Sequence, residues 1–148
     1  MGVSLYGKNR WFRAPFRRHT SGSEFSVKGV DKLPRVDVIY ITADTSPDLI
    51  DAAVSNGAKG LVTAGVGNGN MTGPALATVK KAVESGVVVV RSSRVTSGAV
   101  GRNVEVNDDE VGTVASAELN PARARVLLKL ALLKTSDTAR IQQYFYDY

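Results

Sequence analysis

Short runs of β-branched apolar residues alternate with amphipathic segments in the middle of the chain, and this alternation constrains the fold most. The apolar runs cover residues 36–41, 59–63 and 87–91, and each is nearly continuous in apolar character, as in strands covered on both faces. Amphipathic segments at residues 47–56 and 74–85 separate them. The order strand–helix–strand–helix–strand predicts an α/β fold with a small parallel, Rossmann-like sheet flanked by helices.

Capping residues and apolar spacing predict where the helices lie. Ser46 is the predicted N-cap of the first helix, with Pro47 at its first helical position. Residues 108–118 indicate a short helix or a fourth strand. Two more helices are expected after them, one capped by Asn120 and one capped by Ser136 or Asp137. The last helix is expected to run through Ile141 and Phe145 to the end of the sequence. The side chains expected on the buried faces of the two helices before it are Leu76, Val79, Val83, Val126, Leu127, Leu130 and Leu133.

Composition excludes several classes of protein. The 148 residues suit about one domain, and with no cysteine and the single histidine His19 we expect no disulfide and no metal site. No apolar run approaches the roughly 18 residues that span a bilayer, and no signal-peptide pattern is present, so we expect no membrane segment. The net charge of +5 comes from residues 1–20, because the remaining residues carry 14 basic and 14 acidic side chains. We therefore expect no nucleic-acid partner.

The first 34 residues do not fit the alternating pattern. Aromatic and basic residues alternate there up to residue 19, as in a strand pair that belongs to another sheet, and residues 20–34 have the composition of a linker. The predicted organisation is therefore a remnant strand segment at 1–19, a linker at 20–34 and an α/β domain at 35–148.

A glycine-rich loop, AGVGNGN at residues 64–70, follows the second predicted strand and precedes a helix. Ligands bind beyond the carboxyl ends of strands in open α/β sheets, so this position suits a site. The loop does not match the dinucleotide fingerprint G-x-G-x-x-G, since Asn70 stands at the third glycine position. The alternative is that the glycines only form a tight turn, and spacing alone does not decide between the two.

Several motifs resemble the C-terminal domain of bacterial type II L-asparaginases and glutaminase-asparaginases. They are AGVGNGN at 64–70, RSSR at 91–94, EVNDD at 105–109 and LNPARARVLLKLAL from residue 119, and RRHT at 17–20 resembles the segment leading into that domain. The resemblance implies a homotetramer with periplasmic localisation, no cofactor, and L-asparagine or L-glutamine as the substrate. It also implies that the catalytic threonines and lysine belong to the N-terminal domain, so this chain has no catalytic residue of its own and is expected to be inactive alone.

The resemblance assigns substrate-binding residues to the small domain, which completes the site of a neighbouring subunit. By motif position these residues are Asn70 and Glu105, with Asn68 as a third candidate that could instead only hold the loop. A carboxylate and an amide oxygen suit a substrate ammonium group. Asn70 is asparaginase-like, whereas the leader resembles that of glutaminase-asparaginases, so the preference between asparagine and glutamine stays open.

The residues themselves offer no substitute catalyst. His19 lies in a basic segment, the pair Ser92–Ser93 has no identifiable base, and the acidic run at 108–110 is expected to be solvated or to sit at a helix N-terminus. The competing hypotheses are a stand-alone module that binds a small amino acid or anion without turnover and, more remotely, a dinucleotide-binding fragment.

Overall fold

The computed structural model describes residues 2–5, 7–11 and 20–148. At the start of the chain, β1 (Gly2–Leu5) and β2 (Lys8–Trp11) form an antiparallel pair. Their two-stranded sheet is separate from the four-stranded main sheet, and the assignment of residues 1–19 to another domain stays a prediction. The basic residues at 13, 17 and 18 and His19 lie outside the described residues.

A four-stranded parallel sheet forms the centre of residues 20–148. Its strands follow their order in the sequence, so that β3 pairs with β4, β4 with β5, and β5 with β6. The α/β class and the parallel sheet are thus confirmed, with the strands at β3 (Val36–Tyr40), β4 (Gly60–Gly65), β5 (Val88–Ser93) and β6 (Val114–Ala115).

Helices cover both faces of this sheet. Alternate strand residues point to opposite faces, and the two sets bury against different helices. Val62 and Val90 pack with α4 and α5, whereas Leu61 and Val89 pack with α1 and α2. The helices within residues 20–148 are α1 (Asp48–Ser55), α2 (Gly73–Glu84), α3 (Asp108–Val111), α4 (Pro121–Ala131) and α5 (Thr138–Asp147).

The caps of the last two helices are confirmed, and that of the first is wrong. Asn120 and Asp137 accept hydrogen bonds from backbone N–H groups in the first turns of α4 and α5. At α1, the N-cap is Pro47, whose carbonyl accepts from the N–H of Ile50 at 3.0 Å. The helix therefore begins one residue later than predicted, and Ser46 stays outside it.

In α2 and α4, the residues that face the core are shifted by about one position along the helix from those predicted. Val79 is buried, but Leu76 and Val83 are only half-buried, because Ala75, Thr78 and Ala82 face the sheet. In α4, Ala124 and Ala131 share the buried face with Leu127 and Leu128. Leu130 and Leu133 are half-buried, and Val126, predicted to be buried, is 56% exposed.

Residues 108–118 contain both of the predicted alternatives. The short helix α3 begins at Asp108, and the two-residue strand β6 follows it and joins the sheet beside β5. One turn of helix therefore leads directly into the fourth strand.

Part of the predicted linker packs against the end of the chain. The Phe25 ring lies 4.8 Å from that of Tyr144 and 5.0 Å from that of Tyr148, centroid to centroid. The Tyr144 hydroxyl donates to the Glu24 carboxylate at 2.8 Å. The boundary at residue 34 stays a prediction, but Glu24 and Phe25 already contact the α/β domain.

Within the described residues, no helix combines the length and the apolar character needed to cross a membrane.

Candidate functional site

The glycine loop after β4 closes into a tight turn. Val66 and Asn70 exchange two backbone hydrogen bonds, both of 2.8 Å. A Cβ atom added at Gly65 would lie 2.5 Å from the backbone oxygen of Asn70, so no larger residue fits there without moving the turn. The turn therefore fixes where the Asn70 side chain leaves the carboxyl edge of the sheet.

Asn70 contacts Glu105, which is 35 positions further along the chain. The Asn70 amide Nδ2 donates to the Glu105 carboxylate Oε2 at 3.1 Å. Asn70 is half-buried in the turn, whereas Glu105 is exposed in the segment between β5 and α3. The structure thus brings together the two residues for which the resemblance implied a common ligand, while their role in binding stays a prediction.

Asn68, the third candidate, is engaged in holding the loop. Its side-chain Oδ1 accepts a hydrogen bond of 2.6 Å from the backbone N–H of Gly101. This bond links the turn after β4 to the segment that carries Glu105. The contact agrees with the reading in which Asn68 holds the loop, and its role towards a substrate stays a prediction.

A buried ion pair beneath this surface was not anticipated. Arg91 and Asp108 are both fully buried, and two hydrogen bonds of 2.7 Å join the Arg91 Nε and Nη2 atoms to the two Asp108 oxygens. The acidic run at 108–110 lies in the first turn of α3, which was one of the two expected positions, but Asp108 is buried and not solvated. The available signal was Arg91 itself, because a charge that ends a run of four valines in a buried strand needs a buried partner.

The next residue, Asp109, is exposed and also engaged. The Asn103 side-chain amide donates to it at 2.6 Å, and the Arg102 guanidinium pairs with its other oxygen. The Asn103 hydrogen bond, and after it the hydrogen bond and charge of Arg102, lower the pKa of the Asp109 carboxyl. The lowered pKa favours the charged form of Asp109, which binds the side chains of Arg102 and Asn103 in the segment before α3.

A cavity of about 240 Å³ lies next to the loop. Gly67 and Asn68 line it together with residues 93, 95–100 and 117–120. Asn70 and Glu105 are not part of its lining. Of the two serines considered for catalysis, Ser93 lines the cavity, whereas the Ser92 hydroxyl is buried and donates to the Leu119 carbonyl at 2.8 Å.

Comparison with known proteins identifies a family for the α/β domain. Residues 35–145 match the model of the glutaminase/asparaginase C-terminal domain family. Over its whole length the chain is 46% identical to the probable periplasmic L-asparaginase of Haemophilus influenzae and 46% identical to L-asparaginase 2 of Escherichia coli. It is 41% identical to the glutaminase-asparaginase of Acinetobacter glutaminasificans.

The domain is therefore an α/β domain of the kind found at the C-terminus of glutaminases and asparaginases. The chain belongs to the glutaminase/asparaginase family and corresponds to its C-terminal part. It spans 42% of the length of the first two relatives and 46% of the third.

Proposed function

We propose that this chain supplies the C-terminal part of an L-asparaginase-like amidohydrolase, which hydrolyses L-asparagine or L-glutamine to the acid and ammonia. The observation that carries the proposal is the 3.1 Å contact between Asn70 and Glu105, which two separate loops bring to one edge of the sheet. The names of its relatives, L-asparaginase and glutaminase-asparaginase, give the substrate class.

In this proposal the two side chains bind the substrate's α-ammonium group. The hydrogen bond between them uses one amide proton of Asn70 and the Oε2 atom of Glu105, and the Asn70 Oδ1 and Glu105 Oε1 atoms are the acceptors proposed for the substrate. Both atoms are acceptors, and a carboxylate forms the stronger, charge-assisted bond to an ammonium. The exposed position of Glu105 leaves it open to a substrate held by another surface.

The acyl-transfer chemistry is assigned to groups outside this chain. We propose that the nucleophile comes from a neighbouring subunit, in the portion that the relatives carry beyond the matched region, and that the assembly is a homotetramer. The name of the Haemophilus influenzae relative supports a periplasmic location. Here the task of Asn70 and Glu105 is to orient the substrate, which lowers the entropic part of the barrier.

A chimera tests this assignment. This chain replaces the matching region of L-asparaginase 2 from Escherichia coli, with which it is 46% identical, and asparagine hydrolysis is followed by ammonia release. Loss of a charged hydrogen bond costs roughly 1.5–3 kcal/mol, so Glu105→Gln should lower kcat/KM by about 10- to 100-fold. Glu84→Gln, the same change at an exposed carboxylate on α2, is the matched control and should leave the rate unchanged.

Mixing experiments test the position of the site between subunits. A Glu105→Gln chimera is mixed with a chimera whose nucleophile has been disabled, and exchange of subunits is verified by mass. Some mixed assemblies then contain a site with an intact nucleophile from one subunit and an intact Glu105 from its neighbour. Activity above that of either parent is therefore expected. An inactive parental chimera, or equal loss in the Glu84→Gln control, would refute the proposed function. No recovery after verified exchange would refute the contribution across subunits.

A further inference from the structure

Besides its ion pair with Asp108, the Arg91 side chain forms hydrogen bonds to two loops. Arg91 ends the apolar part of β5, and its guanidinium donates from Nη1 to the Asn68 carbonyl at 3.0 Å and from Nη2 to the Gly101 carbonyl at 3.1 Å. The first carbonyl belongs to the turn that carries Asn70. The second belongs to the segment that carries Glu105. One buried side chain thus holds both loops of the candidate site.

Asp108 secures the same segment from its other end. Its oxygens accept the Asn103 backbone N–H at 2.9 Å and the Thr113 hydroxyl at 2.6 Å, besides the two bonds from Arg91. Glu105 lies between Asn103 and Asp108 in the sequence. The backbone is therefore tied to one carboxylate on both sides of Glu105.

From these contacts we propose that the buried Arg91–Asp108 pair positions Asn70 and Glu105 relative to each other. The proposal rests on the proposed function in taking this pair of side chains as the substrate site. Neither Arg91 nor Asp108 is exposed, so neither touches a substrate, and both act through the loops.

The chemistry of the pair favours positioning over stabilisation. Replacing a buried ion pair by apolar residues of similar volume is often neutral or stabilising, so a buried pair is weak evidence of a stabilising role. An apolar pair, however, could not donate hydrogen bonds to two loop carbonyls. The planar fork of arginine can make several directed bonds at once, which lysine cannot reproduce.

Nuclear magnetic resonance of the 148-residue chain provides a test without any substrate. The readout is the side-chain amide of Asn70, whose chemical shift should change when Glu105→Gln removes the charge of its acceptor. This shift is measured in each variant by comparing the amide signal with and without Glu105→Gln. The test variant is the double substitution Arg91→Met with Asp108→Leu, which removes both charges together.

The double variant is expected to fold and to lose this shift of the Asn70 amide. Phe145→Leu, a change in the core between the sheet and α5, serves as the control for lost stability and should retain the shift. Should the double variant fail to fold, Arg91→Lys is used instead. It keeps a charge beside Asp108 but not the bonds to both carbonyls, and it should also lose the shift.

Three results would overturn the proposal. They are an unchanged shift in the folded double variant or in Arg91→Lys, loss of the shift in Phe145→Leu as well, and absence of the shift in the unaltered chain. The result is independent of the proposed function. Loss of the shift as expected, together with an inactive chimera, would refute the asparaginase activity and leave the positioning role intact.

Discussion

Two arginine–aspartate pairs of equal length let the effect of burial be measured within one molecule. In both, the arginine Nε lies 2.7 Å from an aspartate oxygen. The side chains of Arg91 and Asp108 are 0% exposed, whereas those of Arg35 and Asp37 are 48% and 27% exposed. Changing each aspartate to asparagine removes one charge at nearly constant shape, and the two variants are matched controls for each other.

The two substitutions should differ several-fold in cost. Asp108→Asn leaves the Arg91 guanidinium buried without a counter-charge, and removing one partner of a buried pair costs about 3–5 kcal/mol. Asp37→Asn breaks a pair in contact with water, for which about 0–1 kcal/mol is typical. With a urea m-value of about 2 kcal/mol/M, the midpoint should fall by about 1.5–2.5 M for Asp108→Asn and by less than about 0.5 M for Asp37→Asn.

Urea is the suitable denaturant because it is uncharged and does not screen the exposed pair as guanidinium chloride would. Unfolding is followed by far-ultraviolet circular dichroism, with the m-values compared to verify that both variants unfold in the same way. A variant of Asp108 too unstable to fold would agree with the expected cost. Equal losses for the two substitutions would refute the reasoning, because burial would then not determine the cost.

Gly65→Ala should lower the melting temperature strongly, since the new Cβ would lie 2.5 Å from a backbone oxygen of the turn, whereas Gly73→Ala adds a Cβ with no atom within 4 Å and should change it little. Equal melting temperatures in a thermal scan would contradict the tight turn. Asp109→Asn should reduce the loss of stability in acid. The hydrogen bond from Asn103 and the contact with Arg102 lower the pKa of Asp109, so its contribution is present above the unfolded carboxyl pKa of about 3.9 and is lost as the pH falls through the lower folded value. Urea unfolding at several acidic pH values measures this, and parallel losses in both proteins would show that Asp109 does not contribute.

The sequence predicted what depends on local pattern. The strands β3, β4 and β5 were found because each is a short, continuous apolar run, whereas the two-residue β6 was left open as a helix or a strand. Asn120 was found as a cap, and Asp137 as one of two candidates, because a cap acts on its own first turn. The phase of α4 was missed by one residue. Its alanines at 124 and 131 bury completely against the sheet, while Val126, the more apolar side chain, faces outward.

The candidate site was predicted as a set of residues but not as a geometry. Asn70 and Glu105 were selected through motif resemblance, and no rule of spacing could have given a contact between side chains 35 positions apart. The burial of Asp108 was missed for a related reason. Three consecutive acids look alike in sequence, and only the approach of Arg91 from a neighbouring strand distinguishes the first of them.

The packing of Phe25 on Tyr144 and Tyr148 has a consequence for the connectivity of the domain. The Tyr148 hydroxyl accepts hydrogen bonds of 3.2 Å from the Ser23 hydroxyl and the Glu24 backbone N–H, so the two ends of the segment 23–148 are neighbours. A short peptide could therefore join these ends with little loss of entropy, because the cost of closing a loop grows with its length. The domain is thus topologically suited to circular permutation, with new ends opened at an exposed turn elsewhere.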